Sequence, residues 1–191
     1  LFHRMPSLLW LLFFTLGPGL LLFIGWLCGL REAVFSRFVR AVRWLLPLVW
    51  LVLTVLLGLR TYLGGRLPVG SGYETMLLGA WLLLLFACCA SLRRRGGVRQ
   101  GTDEVLWLLA LPLTAAGLFL LVARFSGRGA AAIAQLTPVL ESPLLSVHVG
   151  FTMMSYALLS LASLHAAAVL LRPSACAPPL AMLRTRLLLL V

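Results

Sequence analysis

Two short segments of this 191-residue chain combine residue types that could do chemistry. The first reads Leu67-Pro68-Val69-Gly70-Ser71-Gly72-Tyr73-Glu74-Thr75-Met76. Its proline and glycines make a turn, after which Glu74 stands in the first turn of a helix, where the positive end of the helix dipole favours a carboxylate. Two readings stay open: a helix cap beside an interfacial Tyr73, or a functional acid at the rim of a membrane span. The second segment reads Thr137-Pro138-Val139-Leu140-Glu141-Ser142-Pro143-Leu144-Leu145-Ser146-Val147-His148-Val149. Ser142 before Pro143 is a helix start, a hydroxyl N-cap followed by proline at the first helical position. His148 then lies about 7.5 Å along that helix.

Thr152, Ser155 and Tyr156 follow His148 at spacings of four, seven and eight, so the four share a face. A polar stripe on a membrane helix is expected to point into the bundle or into a cavity. An imidazole at that depth could form an interhelical hydrogen bond, relay a proton, or ligate a metal or haem iron. His165 is about 25 Å further along the same helix, so the two histidines cannot share one iron. His165 and His3 are expected to be non-ligands. Cys28, Cys88, Cys89 and Cys176 lack the spacing of a zinc or thioredoxin-like pair and are expected to be apolar filler.

The elements that must carry these residues are membrane spans. Hydrophobic residues make up 62% of the chain and charged ones only 11%, well below the roughly 25% of a soluble domain. Mean hydropathy is +1.06. The expected fold is all-α, a polytopic transmembrane helix bundle with about five spans, forming a single transmembrane domain over 1–191. The spans are expected at Leu8 to Leu30 (interrupted by Gly17, Pro18 and Gly19), Trp44 to Leu59, Tyr73 to Leu92, Val105 to Ala123 and Leu144 to Leu171. A sixth is expected to start near Leu187. The chain opens at Leu1 and ends inside the apolar run Leu187–Val191, so it is expected to be an internal fragment of a longer polypeptide.

The formal charge is +11, and every one of the sixteen basic residues is arginine. They sit in short clusters between apolar runs and form no groove-like patch, so the expected partner is the lipid membrane and no nucleic acid. Arginine collects at Arg31, Arg37, Arg40 and Arg43, at Arg93, Arg94, Arg95 and Arg99, and at Arg172, Arg184 and Arg186. The positive-inside rule puts those links in the cytoplasm and the segments 60–72 and 124–147 outside. In the first link Val34, Phe35, Phe38, Val39 and Val42 fall on one helical face. That pattern suits either a helix lying in the headgroup plane or a plain anchoring loop.

Pro68-Val69-Gly70-Ser71-Gly72-Tyr73-Glu74-Thr75-Met76, and Leu140-Glu141-Ser142-Pro143-Leu144-Leu145-Ser146-Val147-His148-Val149 with Met153-Met154-Ser155-Tyr156-Ala157, resemble the cytochrome c biogenesis family CcsA, also called ResC, most closely its fused CcsB–CcsA form. The resemblance covers about residues 44–172. It implies a bacterial inner-membrane protein that delivers haem b across the membrane for attachment to apocytochrome c, as part of a haem lyase complex. Its partners would be a CcsB/ResB-type subunit or fused domain and apocytochrome c. By position His148 matches one of the two histidines that flank the family's WWD motif, and would be an axial ligand to haem iron. Tyr73 and Glu74 match the family's other outward motif.

The chain departs from the family in lacking the WWD motif and the second outward histidine, which in the family lie downstream of the His148 position. Trp10, Trp26, Trp44, Trp50, Trp81 and Trp107 are instead scattered through the spans. Two rival functions remain open at this level. One is a small-molecule transporter whose broken first span lines a pathway. The other is a structural membrane subunit without haem chemistry, in which His148 bonds a neighbouring helix.

Overall fold

The computed structural model describes residues 7–27, 32–65, 67–93, 106–126 and 143–171. The described residues are helical apart from the turn between the second and third helices, and no strand occurs among them. The helices are α1 (Ser7–Leu27), α2 (Glu32–Gly64), α3 (Gly72–Arg93), α4 (Leu111–Phe125) and α5 (Pro143–Leu171). A π-helical turn, Leu106–Ala110, leads into α4. Pro112 has no N–H to offer the carbonyl of Leu108, so the turn before it takes the wider hydrogen-bond pattern. Five helices are long and apolar enough to cross a membrane. The expected all-α, five-span bundle is therefore what the described residues form. The expected sixth span, Cys28, Cys176, His3, Glu141 and Ser142 lie outside the described residues.

α4 is the central helix. Its span is 61% buried, against 11% for the span of α5. The run Leu111–Gly117 is buried on every side, and the small residues Ala115, Ala116 and Gly117 let neighbours come close. α1 uses that opening. A Cβ at Gly19 would lie 2.7 Å from the Thr114 backbone nitrogen, and one at Gly117 would lie 2.7 Å from Leu16 Cβ. The Gly17-Pro18-Gly19 sequence does not break α1, which runs as one helix through Pro18. Of these residues Gly19 is the one spent on a close helix crossing with α4. α3 packs on α4 as well, where Phe119 and Met153 cover Gly79.

α2 overturns one expectation about the first link. Residues 32–43 are the first turns of a single 33-residue helix. The apolar face stays in phase with the span: Val39, Val42, Leu46, Val49, Leu53 and Leu57 are all buried at helical spacing. No break in period exists at which an in-plane helix could turn. The helix is about 50 Å long, well beyond the roughly 30 Å hydrocarbon core. It also extends past Leu59 to Gly64, so Arg60 belongs to the span and not to the link.

Candidate functional site

Arg60 occupies the next place on the buried stripe of α2, seven residues after Leu53 and fourteen after Leu46. A guanidinium buried on a core face needs a counter-charge. Glu74 supplies it, with Arg60 Nη2 donating to Glu74 Oε1 at 3.0 Å and side-chain exposures of 1% and 3%. The other carboxylate oxygen, Oε2, accepts the backbone N–H of Gly70 at 3.0 Å. The Arg60 guanidinium also lies over the Tyr73 ring, 4.9 Å from its centroid, within cation–π range.

Local sequence builds this arrangement. α2 ends at Gly64, and Gly65 takes the left-handed conformation, φ +64°, that closes a helix. Val69 N–H then bonds to the Leu67 carbonyl at 2.9 Å, a tight reversal beside the buried Pro68. Ser71 caps α3: its Oγ accepts the N–H of Glu74 at 3.3 Å, while Glu74 reaches back to Gly70. Ser71-Gly72-Tyr73-Glu74 thus has the reciprocal logic of a capping box, displaced by one residue. Both readings of Glu74 hold in part, because it sits at a helix cap and also carries a buried charge. Tyr73 is 8% exposed, so it is a packed residue and not an interfacial one. The correction follows from Arg60, whose cation the ring covers.

A second cluster ties the same two helices together nearer mid-span. Trp81 Nε1 donates to Thr54 Oγ1 at 2.8 Å, and Thr54 Oγ1 donates to the Trp50 carbonyl at 2.8 Å. The Trp50 and Trp81 rings stack with centroids 5.8 Å apart and planes 29° apart. Two of the scattered tryptophans therefore form one interhelical contact.

His148 lies on α5, on a face turned away from the other described helices. His148, Ser155 and Tyr156 are exposed and Thr152 is half-buried. The expected inward-pointing polar stripe is thus an outer face. The reason is the opposite side of α5, where Met153, Ala157 and Ala168 are buried against the bundle. Thr152 Oγ1 and Ser155 Oγ donate to the carbonyls of His148 and Phe151, so both hydroxyls are satisfied within their own helix. Around the imidazole stand Leu144, 81% exposed, and Phe151, 63% exposed.

Glu74 and His148 do not meet, but they lie near one level. Met153 touches Gly79, and each motif residue is five positions before that contact, about 7.5 Å along its helix. Successive crossings alternate in direction, so a chain whose five apolar helices each cross the bilayer would carry both residues toward one membrane face. His165 lies far down α5 at the other end, as its spacing requires. Cys88 is buried and Cys89 exposed near the end of α3. Among the described residues no group of three or more His, Cys, Asp or Glu gathers as a metal site. No protein-family model matches the chain, and neither a curated protein nor a solved structure is similar to it.

Proposed function

We propose that this chain is part of a CcsA-type protein that presents haem at the outer face of a bacterial inner membrane for attachment to apocytochrome c. What carries the reading is the pair of motifs around Tyr73-Glu74 and His148, each five residues before the point where Met153 meets Gly79. In this reading the segments 60–72 and 124–147 face outward. A CcsB/ResB-type subunit or fused domain, and apocytochrome c, are the partners. In this reading the chain contributes to a haem lyase complex.

Haem b is the substrate. The residues around His148 suit one face of it: an exposed imidazole framed by the exposed apolar side chains of Leu144 and Phe151. A macrocycle lying there would cover apolar surface and find a nitrogen ligand for its iron. Haem bound there would offer its iron to a nitrogen ligand and its vinyl groups to the S–H bonds of apocytochrome cysteines, which would add across them to form thioethers. His148 would hold the iron, and Leu144 and Phe151 would keep water from that side. Arg60, Glu74 and Tyr73 lock the α2–α3 connection on the same membrane face and are positioning residues in this scheme.

The haem reading is preferred to the transporter alternative because Gly19 of the first span is packed onto Thr114. The structural-subunit alternative needs His148 to bond a neighbouring helix, and no described helix bonds its exposed ring. The deciding experiment is His148→Ala in the full-length protein. Expected are a smaller Soret band in the purified protein and reduced cytochrome c maturation, with folding unchanged because the side chain is exposed. Undiminished haem and maturation would remove the ligand role. A wild-type protein with no Soret band would favour a carrier for other solutes.

A further inference from the structure

The outer face of α2 reads as a ruler across the bilayer. Arg37, Arg40, Trp44, Leu48, Leu51, Val55, Leu59 and Tyr62 recur at spacings of three and four, and all are exposed. The face lies away from the packed stripe: Arg37, Arg40 and Trp44 are about 100–200° around the helix from Val39, Val42 and Leu46. Trp44 is 69% exposed and Tyr62 is 84% exposed. They are 18 residues apart, about 27 Å along the axis, close to the roughly 30 Å thickness of a bilayer's hydrocarbon core. Amphipathic aromatic rings favour the two interfaces, and only aliphatic side chains lie on the face between them. Beyond Trp44, Arg40 and Arg37 are about 6 and 10 Å further out, which is the depth of the lipid phosphates.

We infer that Arg37, Arg40 and Trp44 form a docking site for an anionic phospholipid headgroup, with the acyl chains lying along Leu48, Leu51 and Val55. Charge complementarity selects the occupant. Two guanidiniums one turn apart match the oxygens of a phosphodiester. A zwitterionic lipid brings its own ammonium to the same place and cancels part of that attraction. Arg60 makes the contrast clear, since its cation is committed to Glu74 inside the bundle, whereas Arg37 and Arg40 face outward from it. The site is independent of the haem reading, lies on another helix from His148, and is at the opposite end of α2 from Arg60.

The test is native mass spectrometry of the full-length protein, delipidated in detergent and titrated with phosphatidylglycerol or phosphatidylcholine of the same acyl composition. Each basic residue near a lipid surface contributes on the order of a few-fold in affinity, so wild type should prefer phosphatidylglycerol by about ten-fold or more. Arg37→Gln with Arg40→Gln should reduce that preference to about two-fold or less. Arg124→Gln, at an exposed site toward the other end of the bundle, should leave it intact. Equal retention of the two lipids by wild type overturns the site without reference to any variant. So does a double variant that keeps the preference, or displacement of phosphatidylglycerol by millimolar inorganic phosphate.

Discussion

Arg60 and Glu74 join two charges inside a helix bundle, and the energetics of such a pair are asymmetric. Desolvation offsets most of the Coulombic gain, so the intact pair adds little net stability, whereas removing one partner strands the other as a buried charge. Glu74→Ala, or Arg60→Leu, should therefore destabilise the protein by about 3–5 kcal/mol. Replacing both together, Arg60→Met with Glu74→Met, should cost less than either single change. Thermal unfolding in detergent reads the comparison, and a double variant worse than both singles would contradict the pairing. The pair was only half legible in the sequence. Glu74 stood out by its place after Ser71 and Gly72, but Arg60 looked like a loop charge because apolar content falls after Leu59. Its signal was the period of Leu46 and Leu53, which Arg60 continues; that period has meaning only once the helix is known to run on to Gly64.

At the scale of elements, what matters is which helices meet backbone to backbone. Hydrophobicity alone does not drive helices together in lipid, so close packing at small residues supplies much of the association. Gly17 and Gly19 lie two residues apart on α1 and have opposite situations. A Cβ at Gly19 meets Thr114, while one at Gly17 meets nothing within 4 Å. Gly19→Ala should push α1 off α4 and cost about 1–3 kcal/mol, as overpacking does. Gly17→Ala should be neutral or slightly stabilising, because alanine is the better helix former. Thermal stability of the two variants, measured side by side, checks the crossing; equal losses would mean that proline-associated distortion of α1, and not packing, dominates. The spans themselves were readable from apolar run length, yet the sequence reading took Gly17-Pro18-Gly19 for an interruption. In a membrane the carbonyl freed by Pro18 does not end the helix, since no water competes for the rest of the backbone.

At the scale of the whole molecule, the proposed orientation, which rests on the positive-inside rule, is open to test by labelling. In a full-length protein whose native cysteines are replaced, a cysteine at Leu67 should react with a membrane-impermeant maleimide added outside intact cells. A cysteine at Arg37 should react only after the membrane is permeabilised. The reverse pattern would invert the topology, and with it the side of the membrane nearer His148. The outer face of α5 is the other whole-molecule feature. A helix with 11% of its span buried and with His148 and Tyr156 exposed carries polar groups that lipid alone satisfies poorly. In the proposed function, haem and the partner subunit cover it.

Composition and run length by themselves determined that this is a membrane protein of five helical spans, because a bilayer accepts only long apolar helices whose backbones are internally bonded. They also located the two motifs, since a turn of proline, glycine and serine leading into Glu74, and a Ser-Pro start leading to His148, are local features. Facing and partnership were decided by tertiary structure alone. The union of Arg60 with Glu74, the stacking of Trp50 on Trp81, the seating of Gly19 on Thr114 and the outward turn of His148 all depend on which side of each helix meets another. In helices apolar on nearly every side, hydrophobic period marks that side only weakly, and the fit of small residues and buried polar groups between neighbours settles it.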